Sequence, residues 1–349
     1  MGGEEERKKS WENVLADAVP VSPFFTGSIL AALFFASYLL TAILSGGKIV
    51  VVRGDDVSLS RDAWAALALA LFWFAIVGIG RYTTIANLRD ARSLADVVPR
   101  IDAEKVDRYS RGVTPRELAH SRLAGLAGLF LGGTLYAGGV LGAWRQGWAA
   151  FENPVDVWMM FMVSLLGVQL LRRVYFLRGD TGLFADALKG LDPDLSEISR
   201  LDVFGRVALR GALPWFVASG ILALLLVGQD AAGVTVPALI LTLAAAFFTF
   251  SRPMLRAHGV IHRAKQRDLV GLRGQIRRHE KAMHGGGEAA REAAAMLPAL
   301  IALETRLEHV REWPLDLQTA GRLILYAAIP LGSWFGGSVV NIALEALIS

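Results

Sequence analysis

The sequence predicts an all-α, polytopic membrane protein with seven transmembrane helices and one helical hairpin outside the membrane. The 349-residue chain is 54% hydrophobic, with a mean hydropathy of +0.43, and its apolar and charged residues are separated into blocks. A soluble domain mixes these residue types throughout. A charged segment between the last two apolar blocks has heptad spacing, which is typical of paired helices. These observations together predict the class.

Seven apolar blocks match the ~30 Å hydrocarbon core of a bilayer, which a helix of about 20 residues crosses. They span residues 24–45, 63–80, 123–144, 155–171, 213–228, 234–250 and 320–346. Charges are almost absent from every block, so the helices of a large soluble core are the poorer interpretation. The predicted organisation is a cytosolic N-terminal segment (1–22), a six-span bundle (23–252), a hairpin (253–313) and the seventh span (314–349).

The distribution of Lys and Arg predicts that the N-terminus is inside and the C-terminus outside. The predicted outer loops hold few of the 36 basic residues: Lys48, Arg53, Arg61 and Arg145. The others concentrate on the cytosolic side, in segments 81–121 and 172–211 and in the hairpin. An anionic inner leaflet accounts for this basic rim and for the pI of about 9.5 without a nucleic-acid partner. The expected location is the plasma (inner) membrane, with most polar mass cytosolic.

The first outer loop, "KIVVVRGDDVSLS", predicts a small β-hairpin that turns at Gly54-Asp55. The chain contains no cysteine, which excludes disulfides, Fe–S clusters and thiol catalysis.

Heptad spacing on both sides of a triple glycine predicts an antiparallel coiled-coil hairpin. Gly285, Gly286 and Gly287 provide the turn, because glycine enters turn conformations at no steric cost. The predicted downstream seam is Met296, Leu300, Leu303, Leu307 and Val310, and the upstream seam is Leu269, Leu272, Ile276 and Met283, with His279 between the last two.

Candidate chemistry is sparse, and we predict no catalytic site and no cofactor. His258 and His262 are four residues apart on one helical face, a spacing that can chelate a metal. Their neighbours Arg256, Arg263 and Lys265 repel cations, so an interfacial histidine pair is the preferred interpretation.

Glycine pairs at GxxxG spacing are candidate helix-packing residues, because small residues let helices approach closely in lipid. They are Gly128 and Gly132, Gly138 and Gly142, and Gly332 and Gly336. Packing within one bundle is the first interpretation, and self-association into a homo-oligomer is the alternative.

In the segment "EWPLDLQTAGRLILYAAIPLGSWFGGSVV", residues 312–340, we expect Trp313 to lie at the membrane interface and Arg322 to extend to the inner surface.

The same segment resembles the C-terminus of a family of uncharacterised bacterial multi-span membrane proteins, in which a hairpin leads into a Trp-Pro-x-Asp turn and a span with Ile-Pro-Leu-x-Ser-Trp. Four further residues are similar to the start of that family's hairpin: Pro253, His258, Lys265 and Leu269. The resemblance covers about the last quarter of the chain. It implies bacterial origin and this topology, and it implies no activity.

Two functions are compatible with these features. The first is a membrane-anchored scaffold that binds a cytosolic protein through residues 264–310. The second is a homo-oligomeric channel or passive facilitator, which the small-residue faces and the odd number of spans support. No charged residue lies in the middle of a predicted span, which argues against a proton-coupled pump. An enzyme is the least favoured class.

Overall fold

The computed structural model describes residues 22–53, 56–95, 114–188, 195, 201–226 and 232–348. Almost all regular structure in these residues is helical, which confirms the all-α class. In chain order the elements are α1 (Pro23–Leu44), β1 (Val50–Arg53), β2 (Asp56–Leu59), α2 (Arg61–Phe74), α3 (Gly80–Ala95), α4 (Pro115–Leu135), α5 (Ala143–Gln146), α6 (Pro154–Leu188), α7 (Asp202–Leu224), α8 (Ala232–Met283), α9 (Glu288–Glu308), α10 (Leu317–Ala327) and α11 (Ile329–Ile348). Two π-helical turns, Ala75–Ile79 and Tyr136–Val140, follow α2 and α4, and a 3-10 helix, Gly147–Phe151, precedes α6.

Polar caps determine where several helices begin. Ser22 and Ser60 accept hydrogen bonds from backbone N–H groups in the first turns of α1 and α2. Thr114 and Glu117 form a capping box at α4, in which each side chain accepts a hydrogen bond from the other residue's backbone N–H. Asp316 accepts a hydrogen bond from the backbone N–H of Thr319 and starts α10.

Five helical stretches are long and apolar enough to cross a membrane, as judged by length and composition. They are Pro23–Leu44, Arg61–Asp90, Pro154–Tyr175, Asp202–Leu224 and Thr235–Met283. A sixth candidate is the pair Leu317–Ala327 and Ile329–Val340, bent by 41°. The bend lies just before Pro330, which has no N–H for a helical hydrogen bond. Five to six such helices are typical of a multi-pass membrane protein. The count of seven and the orientation stay predictions.

The predicted third span differs most from the structure. Its helix, α4, begins at Pro115 rather than at residue 123, because the capping box starts it there. The helix ends at Leu135 and gives way to a π-helical turn and then to Gly142, which has a φ of 64°. The polar first turns and the early end explain why α4 is not among the five helices above.

Helix α7 is the centre of the bundle, since it contacts α8, α10, α11, α2 and α3. Small residues on one face of α7 bring α8 close. The buried core between them consists of Ala208, Leu209, Ala212 and Phe216 from α7 and Ala246, Phe250 and Met254 from α8. A second core joins α1, α2 and the start of α6 around Tyr38, which is 1% exposed.

The predicted β-hairpin is confirmed. Strands β1 and β2 are antiparallel, with Val50 opposite Leu59 and Arg53 opposite Asp56. The turn residues 54–55 lie outside the described residues. Strand β2 contacts α11.

Helices α8 and α9 form an antiparallel hairpin. Helix α8 continues without interruption through Pro253 to Met283, so the arm is a direct extension of an apolar helix. Gly286 and Gly287 have φ values of 71° and 81°, which only glycine adopts at little cost, and they reverse the chain into α9.

The two seams of the hairpin were not equally well predicted. Leu269, Leu272 and Ile276 are buried, as expected, whereas Met283 is 41% exposed. In α9 the prediction was wrong at Met296 and Leu303, which are 53% and 45% exposed. The face of α9 that turns towards α8 instead follows the series Ala293, Leu297, Leu300, Glu304 and Leu307. Hydrogen bonds from Lys265 of α8 to the backbone at the end of α9 fix this alternative register.

Candidate functional site at the base of the hairpin

Lys265 joins the two arms of the hairpin at the end of α9. Its Nζ donates hydrogen bonds to the backbone oxygens of Glu308 (2.8 Å) and Val310 (3.1 Å), and it lies 3.1 Å from Oε1 of Glu312. The Lys265 side chain is only 9% exposed. An ammonium group has three donors, and here all three have acceptors. A cation at a helix C-terminus is also favoured by the helix dipole. Lys265 therefore caps α9 from the neighbouring helix.

The candidate metal residues His258 and His262 are engaged with the same segment. Nδ1 of His262 is 2.9 Å from Oε2 of Glu312, and Nδ1 of His258 is 3.2 Å from the backbone oxygen of Glu312. Both partner atoms are acceptors, so each ring donates from Nδ1. The described part of the chain holds no group of three His, Cys, Asp or Glu side chains suited to a metal ion. The structure thus places the histidine pair in a hydrogen-bonded clasp.

Glu312 is the centre of this clasp, which we define as His258, His262, Lys265, Glu312 and Trp313. Hydrogen bonds from His262 and from Lys265 hold the pKa of Glu312 below its ordinary value of 4.5, because they stabilise the carboxylate. The ring of Trp313 stacks on that of His258, with centroids 4.3 Å apart and planes 9° from parallel. The clasp therefore combines an ionic side and an aromatic side.

The segment after the clasp is held against the helical bundle. A Cβ atom added to Gly205 of α7 would lie 2.5 Å from the backbone oxygen of Pro314, so only glycine permits this approach. The backbone N–H of Thr319 donates to Oδ1 of Asp316 (2.9 Å), and hydrogen bonding to Thr319 lowers the pKa of Asp316. The base of the hairpin is thereby fixed to α7 and α10.

Farther along the arms, Arg273 of α8 contacts two acids of α9. Its Nε is 2.6 Å from Oε1 of Glu304, and its Nη2 is 2.6 Å from Oε1 of Glu308. All three side chains are partly exposed, so these ion pairs set the register more than they add stability.

One surface of α9 is apolar and open to solvent. Residues 293–303 contain no charged side chain. The exposed members are Ala294, Ala295, Met296, Pro298, Ala299, Ile301, Ala302 and Leu303, which we name the α9 apolar face. On α8, Val270 is 64% exposed but stands among charged residues. A continuous apolar surface on a polar arm is typical of a protein-binding site.

The candidate packing glycines fall into two groups. A Cβ atom on Gly128 would lie 2.1 Å from the backbone oxygen of Gly167, and one on Gly132 would lie 2.7 Å from that of Val163, so these glycines bring α4 into backbone contact with α6. Around Gly332 and Gly336, by contrast, no described atom beyond the adjoining backbone of the same helix lies within 4 Å of an added Cβ.

The remaining candidate residues lie at other positions. Gly138 is in the π-helical turn after α4, and Gly142 is the N-cap residue just before α5. Trp313, expected at the membrane interface, is 44% exposed beside His258. Arg322 is exposed on α10, close enough to Arg210 for a charge interaction.

Glu312 was not singled out from the sequence, although a signal was present. Pairs that meet across the hairpin, such as His262 with Glu312 and Lys265 with Glu308, are nearly symmetric about Gly286 and Gly287. Counting outward from the glycine turn would have placed an acid opposite His262.

No family model, curated protein or solved structure matches this chain. The resemblance of residues 312–340 to a bacterial membrane protein family stays a prediction.

Proposed function

We propose that this protein is a membrane-anchored scaffold whose hairpin binds a partner protein through the α9 apolar face. The observation that carries the proposal is the exposure of Met296, Ile301 and Leu303 in a stretch without charge. Water-exposed apolar surface of this extent is unfavourable unless a partner covers it. The partner class is a protein that presents an apolar helix or groove of similar length.

The rigid attachment of α9 to the helical bundle supports this function. The clasp and the Arg273 ion pairs connect α9 to α8 at several levels, and α8 is continuous with an apolar helix of the bundle. A partner therefore binds a surface whose position relative to the membrane is fixed, and little conformational entropy is lost on binding.

The proposed arrangement has seven spans, with the hairpin in the cytosol of a bacterial cell at the plasma membrane. The positive-inside rule supports the orientation. Antiparallel contact with α6 supports α4 as a further span, the third in chain order, because Gly128 meets Gly167 and Gly132 meets Val163. A helix in backbone contact with a membrane-spanning helix lies at the same depth in the bilayer.

Site-specific cross-linking in living cells tests the scaffold proposal. A photoreactive amino acid in place of Met296 or of Leu303 should give one discrete cross-linked product. The matched control is the same amino acid in place of Val270, which is exposed on α8 and should not give that product. The substitution Ile301→Glu should abolish the product while the protein stays in the membrane. If the products at Leu303 and Val270 are identical, the α9 apolar face is not the binding surface.

The second candidate is a homo-oligomeric channel or facilitator. The open space around Gly332 and Gly336 favours it, since another copy can approach α11 closely there. In this case Gly332→Leu should shift the detergent-solubilised particle to the monomer mass and abolish solute flux into liposomes. A wild-type particle that is already monomeric would contradict this candidate.

A further inference from the structure

Polar residues from three helices meet on one side of the bundle, near the base of the hairpin. Helix α7 contributes Arg206 and Arg210, which are four residues apart and share a face. Arg210 is buried and forms an ion pair with Asp90 of α3, and Arg206 lies 3.5 Å from the same carboxylate. The Nε of Arg210 also donates to the backbone oxygen of Arg206 at 3.2 Å.

Helices α3 and α10 contribute further groups around Arg210. Tyr82 and Arg89 of α3 and Arg322 and Tyr326 of α10 all lie close enough to Arg210 for electrostatic interaction. Spacings of seven residues in α3 and four in α10 place each pair on one helix face. We name this set, together with Arg206 and Asp90, the arginine cluster.

Among the residues that the structure describes, the arginine cluster holds more cationic than acidic side chains. Arg206 and Arg210 share the carboxylate of Asp90, and Arg89 and Arg322 lie near Arg210. Asp202 and Asp316 both lie near Arg206, and a further cation, Arg311, lies near Asp202. With these groups included, the described residues at this position comprise five cations and three carboxylates. Arg89 and Arg322 are exposed, so they can reach a ligand from outside.

The position of the cluster indicates where its ligand comes from. Arg210 lies near the start of α7, where the apolar part of the bundle meets the clasp segment at Gly205. Exposed apolar residues flank the cluster on both outer helices, with Ile85 of α3 at 44% and Leu325 of α10 at 66% exposure. A ligand with an anionic head and apolar chains fits such a border.

We propose that the arginine cluster binds the phosphate group of an anionic phospholipid from the leaflet on the hairpin side. Guanidinium groups match phosphate oxygens with paired donors, and the tyrosine hydroxyls of Tyr82 and Tyr326 add further donors. Asp90 holds Arg210 in place at the bottom of the site, and the exposed Arg89 and Arg322 bind the phosphate from outside. This inference rests on the membrane-spanning arrangement but not on the scaffold function.

Native mass spectrometry of the full chain, released from nanodiscs of phosphatidylcholine and phosphatidylglycerol, tests the proposal. Wild-type protein should retain phosphatidylglycerol selectively. The double variant Arg89→Gln/Arg322→Gln should bind it at least about tenfold more weakly, because it removes two guanidinium groups that donate paired hydrogen bonds to the phosphate. Both changed residues are exposed, so the fold is retained. The control Arg256→Gln/Arg263→Gln removes two exposed cations of α8 and should bind like wild type.

Three outcomes would overturn the proposal. They are equal retention of the two lipids, an equal loss in the control variant, and displacement of the lipid by millimolar inorganic phosphate, which would identify a soluble anion as the ligand. Membrane insertion of every variant, measured by fractionation, separates these outcomes from a failure of the membrane arrangement itself.

Discussion

Substitution of Lys265 by methionine should release the end of α9 from α8. Methionine preserves the length and apolar stem of the side chain but removes the ammonium group. The substitution therefore deletes the hydrogen bonds to the backbone oxygens of Glu308 and Val310 and the contact with Glu312. Packing of the arms through Leu269 and Leu272 remains.

The magnitude follows from these contacts. A hydrogen bond that involves a charged group contributes about 1.5–3 kcal/mol. Water restores part of this loss, because Glu308 at the end of α9 is exposed. We therefore expect the free energy of local opening to fall by about 2 kcal/mol, which corresponds to about thirtyfold faster amide exchange.

Hydrogen–deuterium exchange of the amides in the last turn of α9 measures this effect in the detergent-solubilised protein. Lys281→Met is the control, since Lys281 is an exposed lysine near the other end of the same arm. It should leave the exchange rates at the α9 end unchanged. Equal effects of the two substitutions would refute the capping role of Lys265.

Three further predictions concern other contacts. Gly128→Ala should lower the free energy of unfolding by about 1–3 kcal/mol, because the new Cβ would lie 2.1 Å from a backbone oxygen of α6. The control Gly271→Ala, which has open space around it, should be neutral. Arg210→Met should cost about 3 kcal/mol in a denaturation series because it removes the buried guanidinium that pairs with Asp90, and a neutral result would contradict a stabilising role for this ion pair. The lowered pKa of Glu312 means that its contribution is complete above pH 4.5 and is lost as the pH falls through the folded-state value. The protection factor of the amides at the hairpin base, which corrects for the intrinsic slowing of exchange in acid, should therefore fall on acidification, and Glu312→Gln should remove that pH dependence.

The helices and the hairpin could be predicted because they depend on local pattern. Long apolar blocks give the candidate spans, and the triple glycine gives the turn at Gly286 and Gly287. The start of α4 was also predictable, since Thr114 and Glu117 have the spacing of a capping box. The predicted start at residue 123 followed the apolar block instead.

The register of the hairpin could not be predicted from apolar spacing. Residues 293–303 are all uncharged, so a seam through Met296 and Leu303 satisfies the heptad as well as one through Ala293 and Leu300. Long-range contacts decide between them, above all those of Lys265 with the end of α9. The same limit applies to the glycine pairs, because Gly128 and Gly332 have identical local spacing and only the structure shows which one meets another helix.

The side of the membrane on which the hairpin lies is the claim on which the scaffold proposal depends most directly. The chain contains no cysteine, so a single introduced cysteine is its only thiol. We would place it at His284 beside the hairpin turn or, as the control, at Lys48 before β1; both positions are exposed. With a membrane-impermeant maleimide on intact cells, we predict that His284→Cys is labelled only after permeabilisation and that Lys48→Cys is labelled at once. Labelling of His284→Cys in intact cells would place the hairpin outside the cell and contradict the proposal of a cytosolic scaffold.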